Sequence, residues 1–286
     1  MPEGPEVQTI VDALGHMLAG RKVQGVQQFA DYAVINADIS GAVFTEARRI
    51  GKNIVLSLDD GRFVVIHLKI TGQLFLHGQA CERPRFSKLR LLFDDGDCLD
   101  LCDRSKWVRF EVHDKAPDDI LTQNMGVDVL SDKFTLDAFK AIKKHKKPIH
   151  SALLDQSILS GLGNIYVNEI LWLADVHPKT KAPDLTENQV QGLYFAIKHT
   201  MRHALRHRGT TFSDYRTPDG EKGQFQNYLK AFMREDQPCL RCGHKLQRMK
   251  ISGRSCVFCP DMQNHDSAKE TATDRLYAMR CKTDVM

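Results

Sequence analysis

The chain has 286 residues, of which 42% are hydrophobic and 27% are charged, and its formal net charge is +4. This composition is ordinary for a soluble globular protein, and the length allows one large domain or two smaller ones. No apolar run approaches the roughly 18 residues of a transmembrane helix, and the N-terminus lacks the layout of a signal peptide. We therefore expect an intracellular protein without a membrane partner, in a bacterial cytoplasm or nucleoid or in a eukaryotic nucleus.

The N-terminal half is predicted to combine one helix with β-structure. Apolar residues recur at helical spacing over residues 5–19, with Pro5 suited to the first turn and Gly20 to the stop. From about residue 23 to residue 112 the pattern is that of strands, and "NIVLSLDDGRFVVIHL" and "KLRLLFDDGDCLDL" each place Asp-Gly between two apolar runs. Because Asp-Gly in this position is a hairpin signal, we predict packed antiparallel sheets with the helix alongside.

The C-terminal half is predicted to be mainly helical. We expect helices at 136–146, 151–162, 164–174 and 187–207, followed by a long loop at 208–225, and long loops are often functional. The predicted fold class is therefore α+β with two domains. The expected divisions are a β-rich domain at 1–130, a helical domain at 131–232, a cysteine hairpin at 233–262 and a polar, loosely ordered tail at 263–286.

Two basic runs lie in the helical half. Residues 140–147 contain five lysines, and residues 202–208 contain three arginines and two histidines. Such runs are usually solvated faces of a soluble protein. Several of them with tyrosine and phenylalanine nearby favour nucleic-acid binding.

Four of the eight cysteines form two C-x2-C pairs with 13 residues between them: Cys239, Cys242, Cys256 and Cys259. In an intracellular chain this pairing favours zinc over disulfides, because tetrahedral thiolate coordination takes two close ligands from each of two knuckles. A redox pair or unlinked thiols are the alternatives.

The first six residues, "MPEGPE", suggest a nucleophile. Methionine before proline is normally removed, which exposes the secondary amine of Pro2. The positive end of the following helix favours the neutral amine, and Glu3 can supply a proton to a leaving group. A neutral secondary amine can attack a carbonyl-like carbon and form an iminium. The alternative is that Glu3 and Glu6 only complement the helix dipole, and both interpretations can hold together.

Two further segments suggest phosphate binding. In "SGLGNIYVNE" (160–169), Asn164 begins a helix after two glycines, and helix N-termini bind phosphate. In "GRSCVFC" (253–259), Arg254 lies on the hairpin between the cysteine pairs, where it can grip a phosphate bidentately. The alternatives are an ordinary helix corner and a surface arginine without a role.

The motifs "MPEGPE", "GKNIVLSLDDG", "VIHLKITG", "ALLDQSILSGLGNIYVNEILWLADVHP", "RGTTFSDYRTPDG" and "QPCLRCG" occur in this order. Through these motifs the chain resembles the formamidopyrimidine-DNA glycosylase and endonuclease VIII family of base-excision repair enzymes. The resemblance extends from Pro2 to about Met262. The resemblance implies an N-terminal β-sandwich, a helical domain with a helix-two-turns-helix motif, and a hairpin with one structural zinc ion (Zn2+). It also implies a monomer that acts on damaged double-stranded DNA without a small-molecule cofactor.

The resemblance further implies a reaction. The N-terminal proline attacks C1′ of a flipped nucleotide, the base leaves, and the Schiff base drives β- and δ-elimination; flipping is needed because this chemistry cannot occur inside the stack. By this resemblance Pro2 is the nucleophile, Glu3 is the general acid and base, and Lys52 supports the reaction. Three other residues match family positions that bind phosphate: His67, Asn164 and Arg254. Of these, Arg254 is also counted among the catalytic residues.

Several positions depart from the family pattern. Ile70 stands where a methionine wedge is common, Trp107 stands at the usual phenylalanine, and both can still wedge a base step. Ser105 stands at the usual arginine, which puts reading of the opposite base in doubt, with Lys106 or Arg104 as substitutes. His150 replaces a usual lysine.

The zinc spacing departs as well. Aligning the Cys-Pro step makes Cys259 the third ligand and puts Met262, a poor zinc ligand, at the fourth position. Asp261 or His265 could then assist. We favour the alternative register, with Cys256 and Cys259 completing a four-cysteine site.

The leading interpretation is a bifunctional glycosylase and abasic-site lyase that excises oxidised bases. The "GTTF" loop favours 8-oxoguanine and formamidopyrimidine, whereas Gly4 is more typical of the endonuclease VIII branch, which acts on oxidised pyrimidines. The alternatives are a non-catalytic binder of damaged DNA with the same fold and a zinc-ribbon regulatory protein.

Overall fold

A computed structural model describes residues 1–30, 38–78 and 82–264. The described residues divide into two compact units, one within 1–123 and 204–227 and one within 124–203 and 228–264. The predicted tail at 263–286 and the candidate ligand His265 fall, from residue 265 on, outside the described residues. No helix within the described ranges is both long enough and apolar enough to cross a bilayer.

The first unit begins with a helix and contains two antiparallel sheets of four strands, in the orders β1-β6-β7-β5 and β2-β3-β4-β8. The bounds are α1 Gly4–Leu18, β1 Val23–Gln28, β2 Phe44–Ile50, β3 Asn53–Leu58, β4 Phe63–His67, β5 Gln73–Gly78, β6 Ser87–Phe93, β7 Asp97–Cys102, β8 Arg109–His113 and α2 Asp118–Thr122.

One apolar core joins the two sheets and α1 into the β-sandwich that the sequence predicted. Val7, Ile10 and Leu14 of α1 are buried with residues from both sheets, among them Phe44 and Phe93. The two predicted hairpins are present as β3–β4 and β6–β7. The alternation of buried and half-buried residues along β6 is the pattern of a strand with only one face on the core.

The second unit is mainly helical and ends in a two-stranded hairpin. The bounds are β9 Val127–Asp128, α3 Leu136–Lys140, α4 Ile149–Leu154, β10 Leu159–Ser160, α5 Asn164–Leu173, α6 Glu187–Arg206, β11 Gln247–Ile251 and β12 Arg254–Phe258. The last residues of α6 group with the first unit. A turn of 3-10 helix at Ala141–Lys144 extends α3, so the predicted helix 136–146 is shorter than expected.

The predicted helix 151–162 is also wrong beyond Leu154. The backbone becomes extended at Asp155, and Leu159 pairs in parallel with Val127. Gly126 permits this pairing, because a Cβ there would lie 2.1 Å from the carbonyl oxygen of Ile158. The pairing partner lies some thirty residues upstream, so helical periodicity alone did not indicate the break.

The loop at 208–225, which the sequence placed in the 131–232 domain, groups instead with the first unit. Tyr215 is part of the first unit's apolar core, and its hydroxyl donates to the carbonyl of Arg208 at 3.0 Å. Thr210, Thr211 and Thr217 are buried. The loop is therefore a packed part of the β-sandwich unit.

Candidate active site and nucleic-acid interface

A buried carboxylate holds the N-terminus in place. Met1 is half exposed, whereas Pro2 is buried and Glu3 is 3% exposed directly before α1. One carboxylate oxygen of Glu6 accepts the N–H of Glu3 at 2.8 Å, and the other accepts the N–H of Thr210 at 2.7 Å. Glu6 is 1% exposed. It therefore ties the start of the chain to the loop that follows α6.

Gly209 is the residue that permits this contact. Its φ is +76°, and a Cβ there would lie 2.5 Å from Oε1 of Glu6. The sequence predicted only that Glu6 complements the dipole of the first helix, and it predicted no role for Gly209. The two segments are about two hundred residues apart, so no local signal joins them.

Lys52 and His67 belong to one electropositive group in the first unit. Lys52 is 9% exposed in the turn between β2 and β3, and His67 ends β4. Burial lowers the pKa of His67 to about 4, and the charges of Lys69, Lys52 and Arg109 act in the same direction. Its Nδ1 accepts the N–H of Lys69 at 3.0 Å, so the neutral ring carries its proton on Nε2. The group thus offers cations and one N–H donor to an anion such as a phosphate.

Two loops of the first unit present large apolar side chains to solvent. Ile70 is 54% exposed and Trp107 is 65% exposed. The residues before them, Lys69 and Lys106, have positive φ values of 53° and 62°. Exposed aromatic and aliphatic groups on tight turns are suited to insertion between bases.

The buried carboxylate of Asp103 accepts hydrogen bonds from both of these loops. Asp103 is 1% exposed. Its Oδ1 accepts hydrogen bonds from the hydroxyls of Thr71 and Ser105 and from the N–H of Ser105. Its Oδ2 accepts hydrogen bonds from the N–H groups of Trp107 and Val108. These contacts measure 2.6–2.9 Å. Burial opposes ionisation of Asp103, but the hydrogen bonds outweigh it and hold its pKa below the usual value. Sequence reasoning missed this residue, although the Asp-Arg-Ser segment after a strand was a usable signal.

Ser105, at the position where the sequence resemblance implied an arginine, is held by Asp103 and cannot supply a cation. Of the two substitutes we considered, Arg104 is exposed and pairs with Asp214 at 3.2 Å. Lys106 occupies a left-handed backbone position in the same turn. Which of them contacts DNA stays a prediction.

In the second unit the structure brings Asn164 and Arg254 together. Asn164 is the first residue of α5, after Gly163, and its Nδ2 donates to the carbonyl of Ser255 at 2.9 Å. Arg254 is exposed at the start of β12. The tip of the hairpin is Ser252–Gly253, both with positive φ, so Arg254 lies one step beyond the tip. A helix N-terminus and a guanidinium are both groups that attract anions, and their contact with a phosphate stays a prediction.

His150 lies beneath this pair. Its side chain is 0% exposed, burial lowers its pKa to about 4, and Arg254 contributes to the shift in the same direction. The adjacent Ser151 hydroxyl contacts that of Ser252 at 3.0 Å. At the position where the sequence resemblance implied a lysine, this chain therefore has a buried neutral ring rather than a further cation.

Asn168 and Glu169 fix α5 to its surroundings. Asn168 donates to the carbonyl of Asn164 at 2.7 Å and accepts the N–H of Val257 at 2.6 Å. Glu169 accepts three backbone N–H groups, those of residues 230, 231 and 232, at 2.7–2.9 Å. Burial is the largest influence on Glu169 and raises its pKa. Both residues lie in the "SGLGNIYVNE" segment, in which the sequence predicted a role for Asn164 alone.

The lysine run at 140–147 is largely paired. Lys140 contacts Asp137 at 3.1 Å, and Lys143 contacts Glu187 at 3.3 Å. Lys147 contacts Asp155 at 2.5 Å. Such exposed pairs are worth at most about 1 kcal/mol. The run has the features of a solvated face, and its contact with DNA stays a prediction.

Three cysteines of the hairpin fit one structural zinc ion. Cys239, Cys242 and Cys259 place their sulfurs within 4.8 Å of one another, and the sulfurs of Cys242 and Cys259 are 3.4 Å apart. Sulfurs that share a tetrahedral zinc are about 3.8 Å apart. Gln263 supports the second knuckle, because it accepts the N–H of Cys259 at 2.9 Å and is fully buried.

The structure corrects the predicted four-cysteine ligand set, because Cys256 lies outside this group. Successive side chains of a strand point to opposite faces. Val257 of β12 packs in the apolar cluster that contains Cys239 and Cys259. Cys256, its neighbour, consequently faces the other way. Met262 packs against the cluster instead.

Comparison with known proteins covers all three parts of the chain. Residues 1–110 match the formamidopyrimidine-DNA glycosylase N-terminal domain, residues 125–216 match the formamidopyrimidine-DNA glycosylase H2TH domain, and residues 236–261 match the zinc finger found in FPG and IleRS. A formamidopyrimidine-DNA glycosylase of Herpetosiphon aurantiacus is 34% identical over 273 residues, which are 92% of this chain and 100% of that protein.

Solved structures give the same result. The Lactococcus lactis Fpg (MutM), in complex with DNA containing N7-benzyl-Fapy-dG, has a TM-score of 0.84 at 26% identity, with 92% of this chain and 100% of that chain covered. MutM (Fpg) from Thermus thermophilus has a TM-score of 0.83 at 30% identity, with 92% and 98% covered. With its sandwich, its helical unit and its cysteine hairpin all matched, the chain belongs to the formamidopyrimidine-DNA glycosylase and endonuclease VIII family.

Proposed function

We propose that this protein is a bifunctional DNA glycosylase and abasic-site lyase that removes oxidised bases. The observation that carries the proposal is the buried Pro2–Glu3 pair, fixed directly before α1 by Glu6, in a chain of this family. Removal of Met1 turns the Pro2 nitrogen from an amide into a secondary amine. The positive end of α1 favours its neutral, nucleophilic form.

The proposed reaction follows from these groups. The Pro2 nitrogen forms a bond to C1′ of a flipped nucleotide, the glycosidic bond breaks, and Glu3 gives the leaving base its proton. The Pro2 nitrogen then loses its proton, and the C1′–O4′ bond breaks while O4′ takes up a proton, which gives a ring-opened iminium. The iminium acidifies the C2′ proton, whose loss expels the 3′ phosphate by β-elimination. A second elimination expels the 5′ phosphate, and water then releases Pro2.

DNA binding is proposed to use a phosphate site on each unit. In the first unit Lys52 lies beside His67, and in the second Asn164 lies beside Arg254. Ile70 and Trp107 are proposed to fill the space that the flipped nucleotide leaves. Because phosphate contacts dominate affinity, DNA binding is expected to weaken steeply as salt rises.

We propose oxidised purines as the preferred substrates. The buried Thr210 and Thr211 and the exposed Phe212 support this preference. They belong to the "GTTF" segment, which resembles the segment that covers a flipped purine lesion in the formamidopyrimidine branch. The relatives were crystallised with Fapy-dG and with carbocyclic 8-oxo-G in DNA, and one with an oxidised pyrimidine. The last of these keeps oxidised pyrimidines as the second candidate.

Borohydride trapping tests the proposal. The protein is incubated with duplexes that contain 8-oxoguanine, formamidopyrimidine, thymine glycol or an abasic site, and borohydride is then added. We expect a covalent adduct, most with the purine lesions, and its loss in Pro2→Gly. Retarded DNA with no adduct on any duplex would indicate a non-catalytic binder. Fully active protein that retains Met1 by intact mass would exclude Pro2 as the nucleophile.

A further inference from the structure

The zinc site of this chain has three cysteine ligands where a closed structural site needs four ligands. Among the described residues, the sulfurs of Cys239, Cys242 and Cys259 form the group, and Cys256 is turned to the other face of β12. Among the described residues, a fourth protein ligand is therefore a residue of another type.

Met262 is one candidate by position. It is half-buried against the cluster, and its N–H lies 3.5 Å from the sulfur of Cys259. A thioether is neutral and soft, and it is not among the ligands that structural zinc sites use, which are thiolate, imidazole and carboxylate. Met262 fills space at the knuckle, but its chemistry does not suit the metal.

His244 and Asp261 form a second group that shares Cys242 with the first. A ring nitrogen of His244, a carboxylate oxygen of Asp261 and the Cys242 sulfur lie within 4.8 Å of one another. Nδ1 of His244 is 2.9 Å from Oδ2 of Asp261. The backbone of His244 is anchored, because its carbonyl accepts the N–H of Cys239 at 2.7 Å.

We propose that His244 supplies the fourth zinc ligand and that Asp261 positions it. Asp261 occupies Nδ1, which leaves Nε2 as the nitrogen that can bind zinc. A carboxylate on the second ring nitrogen is the common partner of a zinc-bound histidine, because it fixes the tautomer and raises the basicity of the ligand. The side chains of His244 and Asp261 are 62% and 53% exposed, so the ring can turn toward the three sulfurs without unpacking the core.

The proposal also has an electrostatic basis. Three thiolates and a neutral imidazole leave the zinc centre with a net charge of −1, whereas four thiolates would leave −2. The same hairpin carries Arg254, the proposed phosphate contact. A zinc centre with a net charge of −1 repels a phosphate less strongly than a centre with a net charge of −2.

X-ray absorption and chelator competition on the full-length zinc protein test the inference. We expect three sulfur scatterers and one nitrogen scatterer at zinc. His244→Ala should remove the nitrogen scatterer from the zinc spectrum and weaken zinc binding at least about 100-fold. Asp261→Asn should weaken zinc binding by about 10–100-fold. His244→Cys should restore tight binding with four sulfurs. The matched controls, Cys256→Ser and Met262→Leu, should leave the zinc affinity unchanged.

Four results would overturn the proposal. Four sulfurs in the wild type with weaker zinc binding by Cys256→Ser would restore the four-cysteine site. Weaker binding by Met262→Leu would make the thioether the ligand. Three sulfurs with an oxygen, and no effect of His244→Ala, would indicate water or Asp261. A nitrogen that survives His244→Ala would place the ligand elsewhere. Because the wild-type spectrum alone decides between nitrogen and sulfur, a variant that fails to fold does not block the test.

Discussion

Replacing Glu6 by alanine tests the role of the buried carboxylate at the N-terminus. Glu6 is 1% exposed and accepts two backbone N–H groups, from Glu3 and Thr210. Each buried donor left without a partner costs about 1–3 kcal/mol, so Glu6→Ala should lower the free energy of unfolding by about 2–6 kcal/mol. Glu6→Gln keeps one side-chain oxygen as an acceptor, and we expect roughly half of that loss.

Urea unfolding at pH 7 measures this effect. The midpoint should fall while the denaturant slope stays the same, because the surface exposed on unfolding does not change. Asp12→Ala is the matched control on the same helix: Asp12 is exposed, its partner is the Gln8 amide at 2.7 Å, and its loss should change stability by less than about 0.5 kcal/mol. If Glu6→Ala unfolds at the wild-type midpoint, the carboxylate does not hold the N-terminus and the reasoning is refuted.

Three further predictions follow from other parts of the structure. Asp103→Ala should lower the free energy of unfolding by at least about 3 kcal/mol, since it leaves the buried donors of Thr71 and Val108 and the part-buried N–H of Trp107 without their acceptor; a wild-type melting curve would contradict this. Burial holds the pKa of His150 near 4, below its usual 6.5, so the unfolded chain takes up a proton first and stability falls as pH drops from 7 to 5. His150→Gln should reduce this fall by about 2 kcal/mol in urea midpoints at the two pH values, and an unchanged fall would show that the ring is not buried in the neutral form. Arg254→Ala should weaken binding of an abasic-site duplex about 10-fold and flatten its salt dependence, whereas Arg234→Ala, a matched arginine outside the proposed site, should do neither in the same fluorescence titration.

The sequence by itself determined much of the fold and predicted the zinc hairpin. Asp-Gly between apolar runs predicted the β3–β4 and β6–β7 hairpins, and helical spacing predicted α1, because turn chemistry and periodicity are local properties of the chain. The place of Pro2 at the chain end suggested a nucleophile, the family resemblance assigned it that role, and the role stays a prediction. The cysteine spacing likewise predicted a zinc hairpin, since each C-x2-C pair is a local unit.

Only the tertiary structure decided which residues support these groups. The contact of Glu6 with Thr210 and the loops joined by Asp103 connect segments that are far apart in the chain, so no local pattern encodes them. Cys256 was assigned to zinc from spacing, but its register on β12 turns it away from the other sulfurs. The spacing of the cysteines predicts which of them are candidate ligands. Their positions on the pleated strand decide which side chains face the metal.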